Sequence, residues 1–403
     1  MEDKSTSELV GSERSFEQGA TSNPVGDRLA QMRREQLLRL CKERPPLIDC
    51  RKIVDGGIGT YTQNFVRALL DTGIRPVLLG IPEVIRQLPW TQPLEIIEER
   101  AEPYSLDESF LLARRIDFSR HALFHVPHYT LPRGVPVPTI VTIHDLIHVT
   151  HPETWKHRPA ARLLIRSALK RATVVTTVSQ ATRQILMKTF PKWSKRSDAL
   201  MVVPNQLPDW CENVELTSHR EPLFFAAISQ AKPHKGGVDL IEMFALVNDL
   251  HERSHRLVIA GYGAESLAAH PRVREIIEHR TDITMLGALG TRELSSWYKR
   301  AQWVVVPSIA EGFGLMMVEA HAHGTPVICR PVAALKELVQ PADILARDLT
   351  RGGLADAIAN AIKRGSVQEG IRAELQASVA HYRRENQRSA ILDVYSRALG
   401  LFA

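Results

Sequence analysis

Cysteine is scarce and scattered. The four residues Cys41, Cys50, Cys211 and Cys329 lie far apart and form no C-x-x-C pair, which excludes a zinc ribbon and a disulfide framework and makes a reducing compartment the expectation. Long apolar runs are also missing. The stretches Leu223–Ile228 and Val304–Val306 fall well short of the roughly 20 residues of a membrane helix, so no membrane span is expected. The start, Met1-Glu-Asp-Lys-Ser, lacks the basic residues and apolar core of a secretory signal, and a cytoplasmic location follows as an expectation. There is no zinc-finger spacing, no RNP aromatic motif and no concentrated basic stripe, so nucleic acid is not an expected partner.

What remains is an ordinary folded chain. Its 403 residues are 44% apolar and 24% charged, enough for two or three domains with their own cores. Lys and Arg number 51 against 45 acids, a net +6, which suits a phosphate-bearing ligand or an anionic membrane surface. Residues 1–27 are polar and aperiodic and read as a disordered tail. Residues 28–45 follow as a basic amphipathic segment, with Leu29, Met32, Leu37 and Leu40 against Arg28, Arg33, Arg34, Arg39 and Lys42. Such a helix either lies on the inner face of a membrane or docks on its own domain.

From Pro46 short apolar runs alternate with helical stretches. The pattern of Leu47–Cys50, Pro76–Gly80, Ala122–Val126, Thr139–Ile143, Thr173–Val178 and Ala199–Val203 predicts an α/β domain with a mostly parallel, doubly wound sheet over 46–205. A proline-containing link over 206–222 precedes a second such pattern. Leu223–Ile228, Arg256–Ala260, Ile283–Leu286, Trp303–Val306 and Pro326–Cys329 predict a second Rossmann-like domain over 223–375. Residues 376–403 belong to a last long helix, starting near Gly370, that returns across the cleft between the carboxyl ends of the two sheets.

The segment most informative about chemistry is Pro307-Ser-Ile-Ala-Glu311-Gly-Phe-Gly314-Leu-Met-Met-Val-Glu319. A strand ends, a glycine loop follows and a helix starts near Leu315. Gly312 and Gly314 let the backbone approach a ligand, and a helix N-terminus favours an anion or sugar oxygens. Glu311 and Glu319 frame one pocket and suit vicinal hydroxyls; equally, an isolated pair of this kind serves as a loop acid and a salt-bridged helix acid.

This segment resembles the E-x7-E signature of family 4 retaining glycosyltransferases of the GT-B fold. Gly56-Gly-Ile-Gly-Thr-Tyr61, His125-Val-Pro-His128, Thr142-Ile-His144-Asp145, Val203-Pro-Asn205, Lys235-Gly236 and Ala260-Gly-Tyr-Gly263 extend the resemblance in order and spacing over roughly residues 46–398. It implies that Glu311 bonds donor-sugar hydroxyls, that Glu319 holds the ribose diol, and that Gly312, Phe313, Gly314 and Leu315 line sugar and phosphate with their backbone. It implies further that Lys235 neutralises the diphosphate, that Gly57, in the turn after the first strand, lets the opening helix N-terminus face the phosphates, that His144 reaches the donor sugar, and that the nucleobase lies near Leu286 and Leu289. One departure stands out. Ser229 occupies the place where the family usually has an Arg, and Lys232 is the nearby residue able to substitute.

The resemblance implies transfer of a hexose from a nucleotide-diphosphate sugar to a hydroxyl on a saccharide or lipid-linked acceptor, without a metal or other cofactor, in polysaccharide or glycolipid synthesis. The His-Val-Pro-His-Tyr and His-Asp segments look most like polysaccharide mannosyltransferases, which makes mannose the expected sugar. Front-side displacement is the expected mechanism, since a covalent intermediate needs a carboxylate at the anomeric carbon. Two other readings stay open: a GT-B-fold sugar-nucleotide epimerase, and a non-catalytic sugar-nucleotide-binding subunit suggested by Ser229. His144, His148 and His151 form only a partial metal signature, and Gly56–Gly59 lacks the dinucleotide-binding spacing.

Overall fold

A computed structural model describes residues 24–152, 157–217 and 219–401. Two sheets organise it, and every strand pairing in both is parallel. The first comprises β1 (Leu47–Asp49), β2 (Val77–Gly80), β3 (Ile96–Glu98), β4 (Phe124–Val126), β5 (Thr139–Ile143), β6 (Val174–Thr177) and β7 (Leu200–Val202), in the order β3-β2-β1-β4-β5-β6-β7. The second comprises β8 (Glu221–Ala227), β9 (Arg256–Ala260), β10 (Ile283–Met285), β11 (Ala301–Val306), β12 (Val327–Cys329) and β13 (Ile344–Leu345), in the order β10-β9-β8-β11-β12-β13. Strands such as Thr139–Ile143 are buried along their whole length. Helices cover both faces, which is why these strands read as continuous apolar runs rather than alternating ones.

In each sheet the strand order reverses once, between β1 and β4 and between β8 and β11. Ligands of open parallel sheets bind in the crevice beyond the carboxyl ends of the strands at such a point. Topology alone therefore selects the loops after Asp49, Val126, Ala227 and Val306.

Several helices differ from expectation. The glycines at 56–59 are no loop: α2 runs Gly56–Asp71, after α1 at Pro24–Glu43. Gly57 is thus the second residue of a helix, where its N–H is among the first-turn donors without an intrahelical acceptor. Of the expected tail, residues 1–23 lie outside the described residues and Pro24–Asp27 begin α1. That helix docks on its own chain through Leu37 and Cys41, both buried, while Leu29 and Met32 stay exposed. The expected link is packed rather than free: Leu207 and Cys211 are buried, and the Leu207 N–H donates to the Tyr382 carbonyl.

The expected last helix is two. Glu369–Ser378 packs beside the helix of the glycine loop and belongs to the second sheet's side, with Gln376 donating to the Ala322 carbonyl. The chain then turns through Ala380–Tyr382, and Arg384–Ala398 packs on α1 and α2 of the first domain. Arg384 and Arg388 both bond Asp71, and Tyr395 lies against Phe65. One continuous helix could not serve both surfaces. All four cysteines are free and buried, and no described helix is long and apolar enough to cross a membrane.

Candidate active site

The loop after β11 and the loop after β8 are fastened together. Gly236, at φ +67°, sits so close to the end of β11 that a Cβ there would meet the Pro307 oxygen at 2.3 Å. The neighbouring Ile309 N–H donates to the His234 carbonyl, and buried Arg330 donates to the Pro307 carbonyl from beneath. This register brings Lys235 to Glu311. Lys235 Nζ donates to Glu311 Oε1 at 2.7 Å, and Ser308 Oγ donates to the same oxygen at 2.7 Å. Both members of the ion pair remain partly open to solvent, at 26% and 14% of their side-chain surface.

Gly312 is a close contact between the domains. A side chain there would strike the His144 carbonyl oxygen at 2.0 Å, so only glycine permits the approach. The Gly312 carbonyl accepts from Ser179 Oγ at 2.7 Å and Thr182 Oγ1 at 3.0 Å. Those two residues open α3 (Gln180–Thr189), and Glu337 of the second domain accepts from the Gln180 and Ala181 N–H groups of the same helix start. Gly314, at φ +112°, starts the next helix, α4 (Leu315–Ala322). Phe313 turns its ring into the core against Tyr382, which leaves only its backbone to face the loop.

His144 Nε2 lies 2.9 Å from the Pro127 carbonyl. A carbonyl only accepts, so Nε2 carries the proton and Nδ1 keeps its lone pair. Burial pushes this imidazole down to about 4, so it is neutral at pH 7. His148 and His151 bond Tyr129 and Thr150 instead, so the three histidines do not converge. Asp145, beside His144, joins Glu311, Thr182, Ile309 and Val332 around a cleft of about 200 Å³ between the domains.

Glu319 projects from α4 and accepts a 2.7 Å bond from Tyr298 Oη. Burial pushes its carboxyl up to about 7, against the lowering effect of that bond. Leu286 and Leu289 are half-buried on the loop after β10, where the Gly287 carbonyl accepts from Gly261 N–H. Ser229 is exposed just beyond β8, and Lys232 is half-buried. Sequence reasoning missed Ser308, Tyr298, Asp145 and Glu337. Asp145 alone carried a signal, its place at a strand end beside His144.

Among the described residues, the group of potential metal ligands that comes together is Asp49, Glu108 and His128. The Arg51 guanidinium already bridges the two carboxylates, at 2.5 and 2.6 Å.

Two family models match the chain: glycosyl transferases group 1 over residues 220–364 and glycosyltransferase family 4 over residues 55–205. The chain thus carries a glycosyltransferase family 4 domain on its first sheet and a group 1 glycosyl transferase domain on its second. An O-antigen chain mannosyltransferase of Salmonella typhimurium is 26% identical over 235 residues, 57% of this chain and 63% of that protein. The chain spans about three fifths of the length of the mannosyltransferases it matches. A glycosyltransferase from Rickettsia africae superposes with a TM-score of 0.66 at 17% identity, covering 88% of this chain and 98% of its own. The Anabaena protein HepE, solved with UDP and glucose, gives 0.64 at 17% identity over 86% and 98%. These likenesses establish the fold, and the chain has the GT-B architecture of two parallel-sheet domains.

Proposed function

We propose that this glycosyltransferase moves a hexose from a nucleotide-diphosphate sugar to a hydroxyl acceptor with retention at the anomeric carbon. The observation that carries the reading is the Lys235–Glu311 pair, set on two glycine-bearing loops at the switch point of the second sheet, with the His144 backbone of the first domain pressed against the neighbouring Gly312. Lys235 supplies positive charge for the departing diphosphate, and the N-terminus of α2 around Gly57 supplies more from the other domain. Glu311 and the neutral His144 accept from hydroxyls of the donor sugar, and Glu319 accepts from the ribose diol. The resident charges and helix ends give a reaction that needs no metal or other cofactor.

In the transfer step the bond between the anomeric carbon and the phosphate oxygen breaks on the face where the acceptor oxygen attacks. The leaving oxygen takes the acceptor's proton, and the products are the glycoside and a nucleoside diphosphate. Mannose is the proposed sugar: the Salmonella relative is a mannosyltransferase, and the same relative supports a role in polysaccharide synthesis. The experiment is a thermal-shift panel of nucleotide sugars, since a selective donor stabilises by mass action, followed by NMR assignment of the product anomer. Ser229 favours one second reading, a subunit that binds the nucleotide sugar without turning it over. Stabilisation by a donor without any product identifies that case.

Peripheral contact with an anionic membrane is the proposed location. Eleven Lys and Arg and no acid occur between Glu153 and Asp198. Arg162, Leu163, Arg166 and Lys170 are exposed on the helix His157–Arg171, and Arg162 reaches the Thr189 carbonyl at the end of α3, near exposed Lys188 and Lys192. A basic face around an exposed leucine complements such a bilayer better than α1, whose apolar stripe is partly spent on its own domain.

A further inference from the structure

Two tyrosines stand on the first domain, in the loops that follow β3 and β4. The ring centroids of Tyr104 and Tyr129 are 5.2 Å apart and their planes are inclined at 41°, so they form an open V rather than a stack. Tyr104 is 36% exposed. Its φ of +72° is unfavourable for an aromatic residue, and it is held there by its N–H donating to Glu108 Oε2 at 2.6 Å.

Behind that bond lies a buried network. Glu108 Oε1 accepts from Arg51 Nη2 at 2.6 Å and from Thr130 Oγ1 at 3.1 Å. Arg51 also grips Asp49, which His128 Nε2 approaches at 3.2 Å. Against the upward push of burial, the Arg51 charge and hydrogen bonds hold the Asp49 carboxyl well below the usual range. The second tyrosine is fixed as well, with Tyr129 Oη 2.8 Å from His148 Nδ1. One cation shared by two carboxylates thus props a partly exposed ring in a strained conformation, and nothing in the donor chemistry uses it.

We propose that Tyr104 and Tyr129 form the acceptor subsite and that it takes an uncharged pyranose ring, its apolar face against the tyrosines and its hydroxyls toward Asp145 and Asp55. The proposal rests on the transferase reading and adds the acceptor's chemistry to it. Position supports it: Tyr129 Oη lies 2.8 Å from Nδ1 of His148, in the segment after β5 whose Asp145 lines the same cleft as Glu311. Charge supports it too. Lys52 lies 5.3 Å from the Tyr104 ring centroid but is paired with Asp55 at 2.7 Å. Arg51 is consumed by its two carboxylates, and Asp145 leaves the rim acidic. A phosphate would be repelled where a neutral sugar finds an aromatic face and hydroxyl acceptors.

The test uses Tyr104→Gly, which relaxes the +72° backbone as it removes the ring, and Tyr104→Phe, which keeps the ring. The acceptor probes are methyl α-mannopyranoside and mannose 6-phosphate, with the donor chosen by the thermal-shift panel. Tyr104→Gly should raise the KM for the methyl glycoside about tenfold and leave the donor KM within twofold, and Tyr104→Phe should restore the acceptor KM. An unchanged acceptor KM in Tyr104→Gly overturns the subsite, and a preference for the phosphorylated probe overturns its selectivity for uncharged rings. If no donor is turned over, the transferase reading fails. Saturation-transfer NMR then judges the subsite by itself: ring protons of the methyl glycoside should receive magnetisation from the wild type and not from Tyr104→Gly. Absence of transfer to the wild type overturns it.

Discussion

Lys235 and Glu311, to which the family resemblance gives separate tasks, are bonded to each other at 2.7 Å. In the proposed reaction a diphosphate competes for the ammonium group and sugar hydroxyls for the carboxylate. Lys235→Ala should raise the donor KM and lower kcat, for a combined loss of roughly 10²-fold or more in kcat/KM, because the diphosphate gains charge as the bond breaks. Steady-state kinetics check this, and unchanged kcat/KM would place the phosphate elsewhere.

Glu311→Gln should leave folding intact and reduce transfer by a similar factor of roughly 10². The amide keeps the shape but gives up both the charge-assisted acceptor and the salt bridge. Near-normal turnover with a normal melting temperature would remove Glu311 from the site.

Ser229→Arg tests whether the diphosphate clamp is impaired or rewired. With one cation missing, restoring Arg should raise the transfer rate, while Lys232→Ala should cost little. If Lys232 has taken over, Lys232→Ala should cost about as much as Lys235→Ala and the added Arg should bring nothing. Rates of both variants with one donor decide, and indifference to both changes refutes the placement of the diphosphate beside this loop.

Glu319 imposes a pH signature. Its carboxyl is raised from 4.5 to about 7 by burial, so the folded chain keeps a proton that the unfolded chain loses. Its contribution to stability is complete below about pH 4.5 and is lost as pH rises through about 7. That loss is worth at most roughly 3 kcal/mol. Urea unfolding at pH 5 and pH 8 should show a steeper decline for the wild type than for Glu319→Gln. Donor affinity should move the opposite way, strengthening through neutral pH as the carboxylate becomes a better acceptor for the ribose diol. Equal slopes in wild type and variant would sink the assignment.

Replacing Arg162, Arg166 and Lys170 with Gln should weaken affinity for anionic vesicles on the order of 10²-fold, at about 1 kcal/mol per charge near the surface. The same change at Arg33, Arg34 and Arg39 should matter less. A reversed ranking would return the membrane contact to α1.

The sheets were legible from sequence because their strands are buried on both faces and announce themselves as β-branched runs. The strands missed, β3 and β13, are short edge strands, Ile96–Glu98 and Ile344–Leu345, whose residues are only partly covered. Helix ends were harder. Gly56–Gly59 looked like a turn because glycine weakens helices, yet Gly59 packs so tightly on the Ile53 carbonyl that the helix needs it. The break at Val379–Arg383 left no proline or glycine to mark it; packing on two different domains made it. At the site, motif spacing led to Glu311, Lys235 and Gly312. Tyr298 and Glu337 act through partners distant in sequence, and no local pattern exposes them; Ser308 bonds Glu311 three residues on, within the same loop, where a lone serine carries no signal.

The bonds that Ser179 and Thr182 make to the Gly312 carbonyl, with Glu337 on the same helix start, have a kinetic meaning. Each joins a side chain of one domain to a main-chain atom of the other, so the grip involves none of the groups proposed to touch the sugar. Any parting of the domains has to break these bonds together; where that parting is the slow event of the proposed cycle, turnover should respond to solvent viscosity more than to the identity of the leaving nucleotide.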